Sequence, residues 1–349
     1  MIETKFLAQD FMRALSIVSA IVPKRSVHPA LCNIHVQVLG ASEGLRISAT
    51  DTNVYVSVSM NTVNADIVQF LLSKPLDVLK YLKASKADQL VITHDKGGAT
   101  KINSLDLTPD ATIEDFPAVS VGTPVAQIIL DSAKLLSATQ MVSDICKKTI
   151  STEFKNYAIL RDGKLWFCNE YVACAHDIAE NMNEASLHSI VPVDLLYAFA
   201  KMRIQPASCE FILHTESVGL QCFINSTIIN IRCRKPCITL WDMQANVKFI
   251  SDSDAVRITA DHAAVMAVVK AVYLIFKNGI AYLADEYLNS ILRIENLASK
   301  KDVILKIAYL LPFIKNKRGC SLKIDKGDHP VIIDGEGYRA IILPVLNGE

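Results

Sequence analysis

Charge of one sign is what this sequence lacks most plainly. Thirty-six basic and 36 acidic residues cancel over 349 positions, so the total points to neither an acidic nor a basic partner. Long apolar runs are missing as well. The most apolar stretch, 263–276, contains Lys270 and falls short of the roughly 20 apolar residues that span a bilayer. Residues Met1–Asp10 carry acids and show no apolar core followed by a small-residue cleavage site, so no secretory signal is read there. The expectation is a cytoplasmic chain without a membrane partner.

Ordered cysteine and glycine motifs are also absent. Nine cysteines, an odd number at irregular spacing, fit reduced, buried thiols better than a disulfide framework. Cys233 and Cys237 have no second pair at zinc spacing. Gly97-Gly98 and Gly335-Glu336-Gly337 open no helix, so they read as hairpin turns and not as phosphate cradles. No zinc finger, recognition helix or aromatic stacking set is present to read bases. No metal, no cofactor and no catalytic group is expected.

What is present is a repeat. In Leu45–Val58, LRISATDTNVYVSV, apolar Leu45, Ile47 and Ala49 alternate with polar neighbours, Thr50-Asp51 breaks the run, and Val54, Val56 and Val58 resume it. Period-2 strands around a short polar turn predict a hairpin. The arrangement returns at Lys164–Ile178 and at Ile280–Ile294, with Asp51, Asn169 and Asp285 spaced at a nearly fixed interval of roughly 117 residues. Three copies of one domain follow, each of ordinary size, with expected boundaries at 1–124, 125–247 and 248–349.

Within the first copy a strand at Lys5–Leu7 leads into a helix over 10–22, whose apolar face is Phe11, Leu15, Val18 and Val22, with Asp10 as its cap. Strands follow at Asn33–Leu39, Leu45–Ala49 and Val54–Met60. A second helix spans 74–85, with Ser73 as its cap and Pro75 in its first turn. Strands at Gln89–His94, Thr100–Ile102 and Leu105–Leu107 complete two strand–helix–three-strand units. Glu114-Asp115-Phe116-Pro117, with Gly122 and Pro124, forms the link to the second copy, and about 236–252 forms the next. Asp10, Asp131 and Asp261 align as helix caps, which makes Leu15, Leu136 and Met266 one core position. Leu76, Leu195 and Leu310 align in the later helices. Six helices and twenty or more strands define an α+β chain.

Charge segregates by element. Each predicted helix with its exit carries a net charge between +1 and +3, so strands and loops carry the balancing acids. Bases favour helix C-termini in any protein, which accounts for Lys201, Arg203 and Lys317 without a ligand. It does not account for the acids elsewhere. If the helices share one surface, that surface would hold duplex DNA through sequence-independent, salt-sensitive phosphate contacts.

Three residues raise an enzymatic reading. Cys168, Cys174 and His176 lie close in sequence and could suggest a thiol nucleophile or a metal site. On alternating strand positions they would not all share a face, and cysteine is commonly buried. Asp51 is accounted for as a turn residue. His28, His35, His94, His188, His214 and His329 are scattered and receive no role.

Phe6–Val58, with VPKRSVHPALCNIHVQV followed by LRISATD, resembles the first domain of the bacterial sliding clamp, the beta subunit of DNA polymerase III. So do Glu114–Pro117, Val191-Pro192 and the ending Tyr338–Val345, YRAIILPV. The resemblance covers nearly the whole chain in the right order. It implies three DNA-clamp domains, each of two βαβββ units, forming half of a head-to-tail homodimeric ring, with helices lining the inside and antiparallel sheets outside. It implies a non-enzymatic processivity factor that slides on duplex DNA and tethers DNA polymerase and the clamp loader through short peptides. The DNA-binding residues would be Arg13, Lys24, Arg25, Lys80, Lys83, Lys134, Lys147, Lys148, Lys201, Arg203, Lys270, Lys315, Lys317 and Arg318.

The same resemblance places a partner-peptide pocket between the second and third domains, made here by Lys155, Cys168, Glu170, Tyr171, Val172, Ala173, Pro236, Ile341 and Leu343. Its wall departs from the family. The usual Thr-Asp-Gly-His-Arg-Leu-Ala is replaced by Cys168-Asn169-Glu170-Tyr171-Val172-Ala173-Cys174, and Lys155 stands near a family leucine. The Gly-aromatic-Pro-Asp-Tyr segment has become Arg234-Lys235-Pro236-Cys237-Ile238. These departures mark a divergent member and leave an alternative: a clamp-derived interaction scaffold that is not loaded in replication.

Overall fold

The computed structural model describes residues 2–40, 43–61, 67–85, 88–94, 100–102, 105–107, 109–120, 122–146, 156–169, 171–179, 187–236, 254–258, 260–269, 271–314, 319–325 and 329–345. Among them are six α-helices: α1 (Ala8–Val18), α2 (Pro75–Ser85), α3 (Ser132–Cys146), α4 (Val193–Met202), α5 (Ala260–Val268) and α6 (Ile307–Ile314). Every strand pair is antiparallel. The chain divides into two compact units, Met1–Ala133 with Asp194–Pro236, and Lys134–Val193 with Cys237–Glu349. These units follow the sheets, which run across the boundaries drawn from the repeat.

In the first unit, β1 (Ile2–Leu7), β6 (Gln89–His94), β7 (Thr100–Ile102) and β8 (Leu105–Asp106) form a four-stranded sheet in that order. An eight-stranded sheet runs β5 (Ile67–Leu72), β2 (Ile34–Leu39), β3 (Leu45–Thr50), β4 (Val54–Met60), β16 (Thr227–Arg234), β15 (Ser217–Ile224), β14 (Ser208–His214) and β9 (Pro124–Leu130). Its middle seam is β4 on β16, with Val56 opposite Ile231 and Val58 opposite Ile229. All four of these side chains are buried, so the seam is an apolar core and not a loose edge contact. Helix α1 packs on β3 and β4 and against α2.

The second unit repeats the plan. Its eight-stranded sheet runs β13 (Ser189–Pro192), β10 (Tyr157–Arg161), β11 (Lys164–Cys168), β12 (Val172–Asp177), β24 (Tyr338–Ile342), β23 (Val331–Gly335), β22 (Cys320–Ile324) and β17 (Asp254–Ile258). The seam is β12 on β24, with buried Val172 opposite buried Ile342. A four-stranded sheet follows the order β20 (Ser290–Ile294), β19 (Ile280–Ala284), β18 (Tyr273–Lys277) and β21 (Val303–Lys306).

The three repeated turns share one piece of chemistry. Asp51 Oδ1 accepts from the N–H groups of Asn53 and Val54. Asn169 Oδ1 accepts from Tyr171 and Val172, and Asp285 Oδ1 from Tyr287 and Asn289. A short polar side chain that satisfies two backbone donors can close a turn without help from the rest of the fold. The turn at Glu336-Gly337 likewise joins β23 to β24, with Gly337 at φ 75°.

Helix starts differ from expectation. Helix α1 begins at Ala8, so Asp10 lies in its first turn and Leu7 at the cap makes no side-chain hydrogen bond. Asp261 is likewise inside α5. Of the three acids only Asp131 caps, accepting from Ala133 N–H at 2.9 Å. Acids are favourable anywhere in the first turn, so an acid marks that turn without marking its first residue. Counted from the first helical residue, the shared core position is Ala14, Ala138 and Met266, all buried, whereas Leu136 is only half-buried.

Other differences concern α1 and α2. Helix α1 ends at Val18 rather than Val22, where the Ser19 hydroxyl bonds back to the Leu15 carbonyl. Ser73 does not cap α2; its buried hydroxyl donates to the Leu107 carbonyl, while Lys74 O receives the Asp77 and Val78 N–H groups. Leu76 is 50% exposed and Val78 is fully buried, so Val78 is the counterpart of buried Leu195 and Leu310 in filling the core.

Candidate functional site

In the second unit, the turn after β11 and the end of β24 form one wall. Ala173 lies opposite Ile341 on the pleat face away from Val172 and Ile342, and Leu343 N–H donates to the Tyr171 carbonyl at 2.9 Å. Strand alternation therefore puts Tyr171, Ala173, Ile341 and Leu343 on one face. Tyr171 is 43% and Leu343 44% exposed, and Ala173 and Ile341 are half-buried. This is a contiguous apolar strip where a partner side chain can dock.

The strip is extended by a residue with no signal in the local pattern. The Tyr309 ring of α6 stacks on Tyr171 with centroids 4.8 Å apart and planes 15° apart. Lys306 Nζ lies 5.5 Å from the Tyr309 ring centre, within cation–π range. Asn169 holds the turn from behind: its Oδ1 takes two N–H groups, and its Nδ2 donates to the Ile145 carbonyl at 3.3 Å. Of the other predicted wall residues, Cys168 and Val172 are buried. Pro236 is half-buried in the first unit, and Lys155 and Glu170 lie outside the described residues.

The Cys168, Cys174 and His176 group offers little chemistry. Cys168 stands opposite Ala173, and Cys174 stands opposite Phe167 on the other face. Burial, reinforced by Cys168, pushes the nearby Cys146 thiol up to about 12, and burial also raises Cys174. Thiols that stay protonated are poor nucleophiles and poor metal ligands. His176 Nδ1 bonds the Asp177 carbonyl at 2.8 Å and therefore carries the proton, leaving Nε2 to accept from Ser137 Oγ at 3.1 Å. Both ring nitrogens are thus engaged, and burial holds the imidazole below its usual pKa despite the Asp177 contacts. Among the described residues no group of three or more His, Cys, Asp or Glu side chains is placed to hold a metal.

The basic residues in the described segments lie largely on solvent-facing stripes. Arg13 on α1, Lys80 and Lys83 on α2, and Lys201 on α4 are exposed, as are Lys24 and Arg25 beyond α1 and Arg203 beyond α4. The buried stripes of α1 and α2 are Phe11, Leu15 and Val18, and Val78, Leu79 and Leu82, so the cations stand opposite the core. Lys80 pairs with Asp77 at 3.1 Å, both well exposed, an ion pair of little energetic weight. Lys134 is half-buried on α3. Lys147, Lys148, Lys270, Lys315, Lys317 and Arg318 lie outside the described residues. Among the described residues no helix is long and apolar enough to cross a membrane.

No protein-family model and no curated protein matches the sequence. The structure does match solved ones. A DNA polymerase sliding clamp from Pseudomonas aeruginosa aligns with TM-score 0.80 at 12% identity, over 99% of this chain and 100% of that one. The DNA polymerase III beta subunit of Thermotoga maritima aligns at 0.77 and 14% identity, and the Helicobacter pylori beta clamp bound to a DNA ligase peptide at 0.77 and 13%. Both of these alignments cover 99% of this chain and 100% of the other. Identity is too low to carry residue roles across, but the agreement spans the chain from end to end, and the chain has the fold of the bacterial DNA polymerase III beta-subunit sliding clamps.

Proposed function

We propose that this protein is a DNA polymerase processivity factor: a head-to-tail homodimeric ring of three-domain subunits that encircles duplex DNA and slides along it. The observation that carries this reading is the clamp fold over the whole chain. Two further features support it. The cations of α1, α2 and α4 stand on stripes opposite the core, as sequence-independent phosphate contact requires. Strands β8 and β20 are each the last in their sheet, and an open edge is a template for pairing with another chain. Ile291 and Leu292 on β20, and Tyr287 and Leu288 just before it, are exposed. A head-to-tail contact that closes after two copies makes a ring instead of a filament.

The strip of Tyr171, Ala173, Ile341 and Leu343 is the partner-binding wall in this reading, engaged by short peptides of the polymerase and the clamp loader in the cytoplasm. The ring holds DNA by topology and its partners through this strip, and has no catalytic role. Retention on closed circular duplex DNA, set against linear DNA, tests the proposal. The Tyr171–Tyr309 stack also favours a second reading, an interaction scaffold that binds partners without being loaded. A protein of that kind would bind peptides and show no retention on DNA.

A further inference from the structure

The sheet of the first unit has a second face, turned away from α1, and the link between the first two repeats crosses it. Between the link and the sheet is a cavity of about 360 Å³ whose walls include His35, Arg46, Tyr55, Phe116, Asn230 and Arg232. Strand register assembles it from four strands: Gln37 on β2 faces Arg46 on β3, and on β4 and β16 Tyr55 faces Arg232 and Ser57 faces Asn230. Phe116 closes one side, its ring 5.1 Å from that of His35. The link is itself tied down. Thr112 and Asp115 form a capping box, Ser120 Oγ donates to Glu216, and Thr123 N–H donates to Thr215 Oγ1.

The polar balance of this cavity is one-sided. Among the described residues two arginines line it and no acid does. Arg232 is half-buried, and its charge is opposed first by burial and also by Arg46, with Tyr55 acting the other way. Guanidinium does not shed its proton, and the half-buried Arg232 has no carboxylate beside it among the described lining residues, with exposed Arg46 adding a second positive charge. Room for Arg232 has been made by leaving out a side chain. Gly219 lies opposite it, and a Cβ there would meet the Ile231 carbonyl oxygen at 2.9 Å and Arg232 Cγ at 3.1 Å. His35 adds a polar ring: Gln69 interacts with its side chain, and its buried Nε2 has no hydrogen-bond partner at bonding geometry among the described residues.

We propose that this cavity binds a small organic anion, with a phosphate or carboxylate held between Arg46 and Arg232 and the rest of the molecule against Tyr55 and Phe116. The planar fork of arginine suits either group, and the volume is at the small end for ligand sites. The proposal is independent of the clamp reading and of the peptide wall. It is tested by titrating inorganic phosphate and, separately, citrate into the full chain by calorimetry, with sodium chloride holding ionic strength constant.

Saturable binding of one molecule per chain at millimolar concentration is expected for at least one of the two. Phosphate alone would assign a phosphoryl ligand, citrate alone a carboxylate, and both the shared anion chemistry. Arg46→Ala should weaken binding by about tenfold or more, and Arg46→Lys by less, because the charge stays while the fork is lost. Arg46 is exposed, and an unchanged circular dichroism melt would establish that each variant is folded. No saturable binding of either anion to the wild-type chain, or equal binding by folded Arg46→Ala, would overturn the proposal.

Discussion

The rings of Tyr171 and Tyr309 stack 4.8 Å apart at 15°, joining the turn of the second hairpin to a helix roughly 140 residues later in the chain. The stack extends the apolar strip of Ala173, Ile341 and Leu343.

Removing either ring should weaken partner binding and leave the fold in place. An aromatic pair contributes about 0.5–1.5 kcal/mol beyond its area, so Tyr171→Ala should lower affinity for the host's replicative polymerase by roughly threefold to tenfold. Biolayer interferometry with the intact polymerase reads the change. Equal affinity in wild type and in both Tyr171→Ala and Tyr309→Ala would remove this strip from the partner site.

Charge reversal tests the basic residues. Changing Lys80, Lys83, Lys315 and Lys317 to glutamate should weaken DNA binding and flatten its salt dependence, by about 0.9 in the log–log slope for each phosphate that is no longer neutralised. Fluorescence anisotropy with a duplex at several salt concentrations measures both quantities. An unchanged slope would mean that these helices do not face DNA.

How much of the fold and the site is legible in the sequence depends on the range of the interactions. Asp51, Asn169 and Asp285 can be read as turns because each satisfies donors within four residues of itself. The end of α1 is obscured because Ser19, and not the later Pro23, closes it. The caps are obscured because Asp10 and Asp261 act through the helix field without bonding the first free N–H groups. Tyr309 cannot be foreseen as a wall residue, since its partner is set by the β12–β24 seam and no periodicity within α6 records that seam. The cavity under the link is hidden for the same reason: Arg46 and Arg232 line one cavity only because β3 pairs with β4 and β4 with β16.

His176 gives a prediction about pH. Burial holds its folded pKa below the usual 6.5, so the unfolded chain takes up a proton first as pH falls. Its contribution to stability is present above about pH 6.5 and diminishes as pH drops from there toward the folded pKa. Thermal unfolding midpoints should therefore fall on acidification, and should fall less in His176→Gln. His35 and His214 are shifted in the same direction by burial, so the variant should retain part of the dependence. An identical pH profile in His176→Gln would show that the buried imidazole is not what acid attacks. Loss of a catalytic turnover in a folded Cys168→Ala or His176→Ala protein would instead revive the enzymatic reading.

Retention on DNA topology tests the central claim most directly. The protein is loaded by its own host's clamp loader onto nicked circular duplex DNA, passed through a sizing column in moderate salt, and assayed again after the circle is cut once. A ring predicts that protein stays with the circle through the column and runs off the linear product. No retention on the circle, or equal retention on circular and linear DNA, would contradict it.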